Sequence, residues 1–219
     1  MTIDVFADIA CPWCYIGEAR LQQALNARPG LAAARHWRPF QLQPDLPPEG
    51  RPVDPFFYDK FGGRAQTRAM FAHVTRVGAA DGVRFDFGRL AGAPNTADAH
   101  RLILWAAELD RAWPMAHALF AGYFAEGRDL GRVADLRVIA EAAGLDGDRA
   151  VALLASDRYR TDVAQSQHVA RRAGITGVPF YVFDGRYAVS GAQAPEVFGR
   201  VLDRVAAERA QEQTPEAGT

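Results

Sequence analysis

"DVFADIACPWCYIGEARLQQAL", residues 4–25, carries the reading that decides the fold. A dense apolar, β-prone run leads directly into Cys11-Pro12-Trp13-Cys14 and then into a helical pattern. These are the only 2 cysteines among 219 residues. Such a pair can be a redox couple, half of a metal site, or two packed thiols. Its place at a helix start favours the first. Cys11 lies near unsatisfied backbone N–H groups at the positive end of the helix dipole, which favours its thiolate and makes it the attacking sulfur. Cys14 follows one turn later, close enough to resolve a mixed disulfide and better shielded from solvent. Pro12 suits a first helical turn, where its missing N–H costs nothing, and Trp13 supplies apolar surface beside the sulfurs.

The alternatives are weaker. A structural zinc wants four ligands and a catalytic one three, yet His36, His73, His100, His117 and His168 are scattered, without an H-x-x-x-H pair or a second cysteine pair. Two reduced thiols packed at a helix start would simply behave as small hydrophobes. No metal is expected.

Composition narrows the rest. With 49% hydrophobic residues the chain can bury roughly 70% of its unfolded surface, enough for one large domain or a core domain bearing a smaller one. The balance of 25 basic against 26 acidic residues gives a net charge of −1, so neither nucleic acid nor an anionic membrane gains support as a partner. Asp4 and Asp8 precede the first basic residue, Arg20, the wrong order for a secretory leader, and no run of about 18 apolar residues occurs. The expectation is a soluble, cytoplasmic protein, in a compartment where C-x-x-C pairs are catalytic or metal-binding more often than structural.

Along the chain, residues 3–10 read as a strand covered on both faces, followed by a helix from the cysteine pair to about Arg28, where Pro29-Gly30 stops it. Residues 35–42 read as a second strand, with Pro39 demanding an edge position or a bend. "QPDLPPEGRPVDP" reads as a proline-rich connection. Helices are expected over 66–80, from Asn95 (with Asp98 as a variant capping box), from Pro114, and over 133–143 and 149–155. A helix over 157–173 then precedes two short strands, 180–183 and 187–190, joined by Asp184-Gly185, a strong hairpin signal. A last helix carries Val197, Val201 and Val205, and the tail from Gln211 reads as frayed. The pattern is an α/β mixed sheet interrupted by helices: residues 1–54 as the first part of the core module, 55–156 as a helical insertion domain, 157–219 as the second part.

Three blocks in this order, Cys11 to Gly17 after "DVFADIA", "PNTADAHRLILWA" (94–106) and "GITGVPFYVFDGRYAVSGAQ" (174–193), resemble the DsbA-like thioredoxin-fold oxidoreductases. The resemblance is specifically to the cytoplasmic FrnE-like branch, related to 2-hydroxychromene-2-carboxylate isomerases and kappa-class glutathione transferases. The resemblance implies a thioredoxin-like fold with an inserted all-helical domain, matching the pattern above. It also implies Cys11 as nucleophile, Cys14 as resolving cysteine, and Pro179 as a cis-proline beside them, with the Val178 main chain free to pair with substrate.

The same resemblance marks Asn95 and His100 as substrate-binding positions. Without it, Asn95 is a helix cap and His100 a core histidine. Asp8 is either a proton relay for the pair or a local hydrogen-bonding residue where a strand gives way to a turn. Arg171 and Arg172 can attract an acidic group such as glutathione or form a solvated helix face. The expected activity is thiol:disulfide exchange on protein or small-molecule thiols and disulfides. No cofactor is expected to be bound, with glutathione as a candidate co-substrate. The rivals are a glutathione-dependent isomerase or transferase of a small aromatic molecule, a chemistry that in the family generally places serine where this chain has Cys11, and a non-catalytic chaperone or interaction protein.

Overall fold

The computed structural model describes residues 1–213; the remainder of the tail expected to fray lies outside the described residues. Four strands form one sheet in the order β2-β1-β3-β4. β1 (Thr2–Ala7) pairs in parallel with β2 (Ala34–Pro39), and α1 (Pro12–Asn26) makes the crossover. β3 (Phe180–Phe183) runs antiparallel to β1, and β4 (Tyr187–Ser190) antiparallel to β3. The hairpin turns where Asp184 and Gly185 both adopt positive φ, 47° and 68°, the conformation such a turn requires.

Both faces of the sheet are covered, which explains the near-continuous apolar run of β1. Ile3, Val5, Tyr181 and Phe183 belong to the large core with Leu21 of α1 and Phe198 of α9 (Pro195–Gln213). Phe6 instead joins Phe40, Ala170 and Ile175 beneath α8 (Arg160–Arg172). Between β2 and α8 the chain inserts a helical bundle: α2 (Val53–Phe61), α3 (Arg64–Ala80), α4 (Ala97–Ala107), α5 (Ala112–Phe124), α6 (Val133–Ala142) and α7 (Gly147–Ala155). This is a thioredoxin-like α/β core carrying an inserted helical bundle, as the sequence implies.

Several boundaries differ from expectation for local reasons. β1 ends at Ala7, because Asp8 turns the chain: its Oδ1 accepts from Ala10 N at 3.3 Å and its carbonyl from Cys11 N at 3.1 Å. β2 stops at Pro39, and side chains take over the ladder's work, Gln167 Oε1 accepting from Gln41 N and Asp8 Oδ2 from Leu42 N, both at 2.7 Å. The connection after it contains an unexpected helix, α2, whose Pro52 and Pro55 fall at the N-cap and in the first turn, where no N–H is missed. Asn95 sits one residue before the cap position of α4, although its Oδ1 still accepts from Ala97 N, the first N–H of the helix. Thr96 occupies the cap position, and Asp98 pairs with Arg101 at 2.7 Å instead of closing a capping box.

The insertion is fastened to the core by aromatic rings. Phe71 stacks on Phe87 at 4.2 Å, Phe87 on Phe85 at 5.3 Å, and Phe85 meets Tyr15 edge-on at 5.8 Å, while Tyr15 also stacks on Phe120 at 4.8 Å. The residue directly after the cysteine pair is therefore the anchor of the helical bundle.

Candidate active site

The geometry of α1 follows from its first residues. Cys11 is the N-cap, with extended backbone angles (φ −97°, ψ 111°), and Pro12 occupies the first helical position. Cys14 N donates to Cys11 O at 3.0 Å, which stacks the two residues on one turn. Across from them the Val178–Pro179 bond is cis, and Cys11 Sγ donates to Val178 O at 3.6 Å, joining residues 167 positions apart.

The two cysteines are more alike in burial than the sequence suggests: Cys11 is 5% exposed and Cys14 2%. Cys14 is the better shielded, as expected, but the two exposures are comparable, which was not expected. The cause is the Val178 carbonyl lying against Cys11 and the apolar core around both. Burial first, and then the neighbouring Cys11, push the Cys14 thiol well above the ordinary range, opposed by a hydrogen bond with the Asp8 main chain. Trp13 is half-buried and meets His73 of α3, ring centroids 5.9 Å apart, so core and insertion touch beside the pair.

Asp8 sits behind the cysteines with 1% exposure. Besides Ala10 N and Leu42 N, its carboxylate faces His100, whose Nε2 lies 3.5 Å from Asp8 Oδ1. His100 is fully buried, and its Nδ1 accepts from Trp37 Nε1 at 3.1 Å. Nδ1 is thus the accepting nitrogen, and Nε2, buried beside Asp8, makes no hydrogen bond to any described residue. No surface is left on His100 for a substrate.

Asn95 has its amide committed as well: Oδ1 accepts from Gln41 Nε2 at 3.1 Å and Ala97 N at 3.0 Å, and Nδ2 donates to Leu46 O at 2.6 Å. It borders a small pocket of about 130 Å³ with Pro48, Asp98 and Arg160, which neither cysteine lines. The structure thus brings Asp8, Cys11, Cys14, Val178 and Pro179 together. It sets Asn95 and His100 in the framework behind them. Arg171 and Arg172 are exposed in the last turn of α8, the solvated-face arrangement.

Sequence reasoning missed a second charged group. Glu18, 3% exposed, lies one turn beyond Cys14 and accepts from Arg35 Nη1 at 3.1 Å and from His117. That hydrogen bond with Glu18 holds the half-exposed His117 imidazole above its usual range. A charged residue in the middle of an amphipathic helix is the signal that was available, and its partners, 17 and 99 positions away, were not.

Among the described residues no cluster of His, Cys, Asp or Glu is arranged to hold a metal ion, and no helix is long and apolar enough to cross a membrane.

A family model described as a DSBA-like thioredoxin domain matches residues 2–203. A protein of Streptomyces coelicolor described as a probable DsbA oxidoreductase is 34% identical, and its crystal structure matches with a TM-score of 0.87 over 100% of this chain and 94% of that one. The uncharacterized protein YwbO of Bacillus subtilis (strain 168) is 27% identical over 202 residues, 91% of this chain and 94% of that protein. The cytosolic disulfide reductase DsbM of Pseudomonas aeruginosa, solved with GSH, shares the fold at 19% identity and a TM-score of 0.64, over 94% of this chain and 100% of that one. With the match running from β1 into α9 around a C-x-x-C pair at the start of α1, the chain belongs to the family of DSBA-like thioredoxin domains.

Proposed function

We propose that this chain is a thiol:disulfide oxidoreductase of the FrnE-like branch, exchanging disulfides through Cys11 with Cys14 as the resolving sulfur. The observation that carries the reading is Cys11 at the N-cap of α1, its sulfur against the Val178 carbonyl at 3.6 Å and Cys14 one turn further in.

The Cys11 thiolate attacks one sulfur of a substrate disulfide. That S–S bond breaks, its electron pair leaves on the second sulfur, which takes up a proton, and a Cys11–substrate disulfide forms. Cys14 then loses its proton and attacks Cys11 Sγ. The substrate sulfur departs and is protonated, leaving a Cys11–Cys14 disulfide and a reduced substrate. Two glutathione molecules, or another dithiol of a reducing cytoplasm, return the pair to its thiols and leave as a disulfide. Run backwards, the same steps oxidise a substrate, and the direction follows the potential of the pair against its surroundings. Glutathione in this role draws support from the fold shared with DsbM, which was solved with GSH.

The surrounding residues divide the work. Pro12 fixes the helix start, and Trp13 with Pro179 forms the apolar rim. The Val178 main chain receives an extended substrate when the Cys11 contact yields. Asp8, buried and backed by His100, relays the proton that Cys14 must give up. Asn95 and His100 act on substrate through the framework they hold and not by contact.

Insulin disulfide reduction coupled to glutathione, with masses recorded for wild type, C11S and C14S, tests this reading. Wild type should turn over, C11S should not, and C14S should accumulate a mixed disulfide on Cys11. Equal turnover by C11S and wild type would remove the mechanism.

A further inference from the structure

Tyr181 stands on β3 two residues after Pro179 and is fully buried on the face of the sheet that packs on α1 and α9, its ring edge-on to Phe198 at 4.8 Å. Its hydroxyl makes no hydrogen bond to any described residue. A phenylalanine would fill the same apolar wall without burying a polar atom, so packing alone does not explain the oxygen. The oxygen is aimed at α1. A Cβ on Gly17 would overlap it, and Pro179 and Ala192 close the same spot from either side. Helical Cα–Cβ bonds tilt toward the N-terminus, so a group occupying the Cβ direction of Gly17 lies over the preceding turn, the turn that holds Cys14 at i−3.

Few acceptors exist there. The carbonyls inside α1 are engaged in the helix's own ladder, and Ile16 is apolar. Glu18, next to Gly17 in the chain, has its carboxylate turned to Arg35 and His117. The Cys14 sulfur remains: a weak acceptor as a thiol, a strong one as a thiolate. We propose that the Tyr181 hydroxyl is the hydrogen-bond donor held for the Cys14 thiolate, the species that resolves the mixed disulfide. This deepens the exchange reading given above and rests on it for its catalytic consequence.

The charges acting on Tyr181 are Cys14, Glu18, Cys11 and Arg20; burial first, then Cys14, holds its phenol well above the ordinary range, so it stays protonated and able to donate. It keeps its proton throughout. Cys14 loses one toward Asp8, its sulfur accepts the phenol hydrogen bond, then attacks Cys11 Sγ and expels the substrate sulfur; the acceptor vanishes once the Cys11–Cys14 bond has formed.

Tyr181→Phe tests the contact in two settings. In a C11S background, where no exchange is possible, the pH midpoint of Cys14 alkylation should rise by about one unit, a tenfold weaker acid, the effect expected for a hydrogen bond to a charged group. In the intact chain the glutathione adduct on Cys11 should resolve about threefold slower, because the tenfold loss of thiolate is partly offset by its greater nucleophilicity. Alkylation of Cys11 in a C14S background should not change. Gly17→Ala, which pushes the hydroxyl away, should shift the Cys14 midpoint in the same direction. An unchanged or lowered Cys14 midpoint in Y181F overturns the proposal whether or not the protein exchanges disulfides. A raised midpoint in a protein whose wild type shows no exchange supports the contact and removes the oxidoreductase reading instead.

Discussion

Replacing Arg101 should destabilise the protein out of proportion to a single surface-type residue, because it is one of the largest fully buried side chains. From α4 its guanidinium reaches the junction of α7 and α8. Nε donates to Arg158 O at 2.8 Å, Nη1 to Leu154 O at 3.3 Å and Asp98 Oδ1 at 2.7 Å, and Nη2 to Leu153 O at 2.8 Å and Ser156 O at 2.5 Å. The carbonyls at the end of α7 are groups an α-helix cannot satisfy internally, and a cation there also complements the dipole. Leu153 O keeps donors in Ser156 N and Oγ, so the loss in Arg101→Met falls on Leu154, Ser156 and Arg158. At roughly 1–3 kcal/mol for each buried carbonyl stripped of its partner, the gross cost is several kcal/mol. Two reductions apply. The bonds to Ser156 and Arg158 are only part-buried, so water can replace them, and methionine, unlike arginine, needs no desolvation of a charge.

A net loss of about 3 kcal/mol is the expected outcome for R101M. With a urea m-value of about 2–3 kcal/mol/M, the unfolding midpoint should fall by about 1 M at unchanged slope, by circular dichroism and tryptophan fluorescence alike. Asp98→Asn provides the internal comparison. Asp98 is 35% exposed and its pair with Arg101 can be replaced by solvent, so D98N should cost no more than about 1 kcal/mol. Since His100 precedes Arg101 on α4, hydrogen exchange should also quicken along that helix in R101M. An R101M midpoint within experimental error of wild type, or a D98N loss as large, would refute the view that this arginine ties the insertion to the point where the chain re-enters the core.

Iodoacetamide should label C14S, which retains Cys11, at least tenfold faster at pH 8 than C11S, because burial holds Cys14 mostly as thiol; equal rates would contradict it. The Glu18–His117 bond raises the histidine above its unfolded value near 6.5, so its stabilisation is complete below that pH and fades as pH rises through the higher folded value. His117→Gln should accordingly flatten the decline of the urea midpoint above pH 6.5, and a slope identical to wild type would count against the pair. We propose that the helical insertion, drawn from sequence at 55–156, extends from Val53, where α2 begins; expressed as residues 53–156 it should show cooperative helical melting by circular dichroism, whereas a random-coil spectrum would refute that division.

The sheet was legible because its signals are local. A strand running into C-x-x-C, a proline that confines β2 to an edge, and Asp184-Gly185 with both residues at positive φ each act within a few positions. What escaped was set by distant partners or by position within a turn. Pro52 and Pro55 read as a connection, although prolines at a helix start are permitted. The burial of Arg101 escaped too, since nothing nearby announces the carbonyls more than 50 positions away that bind it. His100 as a core histidine was among the expectations, but its pairing with Trp37 and Asp8 spans 63 and 92 positions and left no trace in the sequence. Tyr181 simply alternates correctly in a strand, and only the close approach to Gly17 makes its hydroxyl conspicuous.

The two sides of the cysteine pair differ in what holds them. Behind it, Asp8 binds Leu42 N at 2.7 Å, Gln167 binds Gln41 N at 2.7 Å, and Asn95 grips Gln41 and Leu46 at 3.1 and 2.6 Å. Only the Gln167–Gln41 bond is fully buried and the others are part-buried, yet four bonds along one short stretch must break together, which holds the segment after β2 against Asp8 and the start of α1. In front, the Cys11 sulfur meets Val178 O at 3.6 Å, and an S–H is a weak donor. Beside it, Trp13 meets an exposed His73 at a tilt. Neither is costly to exchange for a substrate. Cys11, a residue 5% exposed at rest, can therefore be reached by displacing weak contacts on one side while the network on the other keeps Cys11, Cys14 and Asp8 in register.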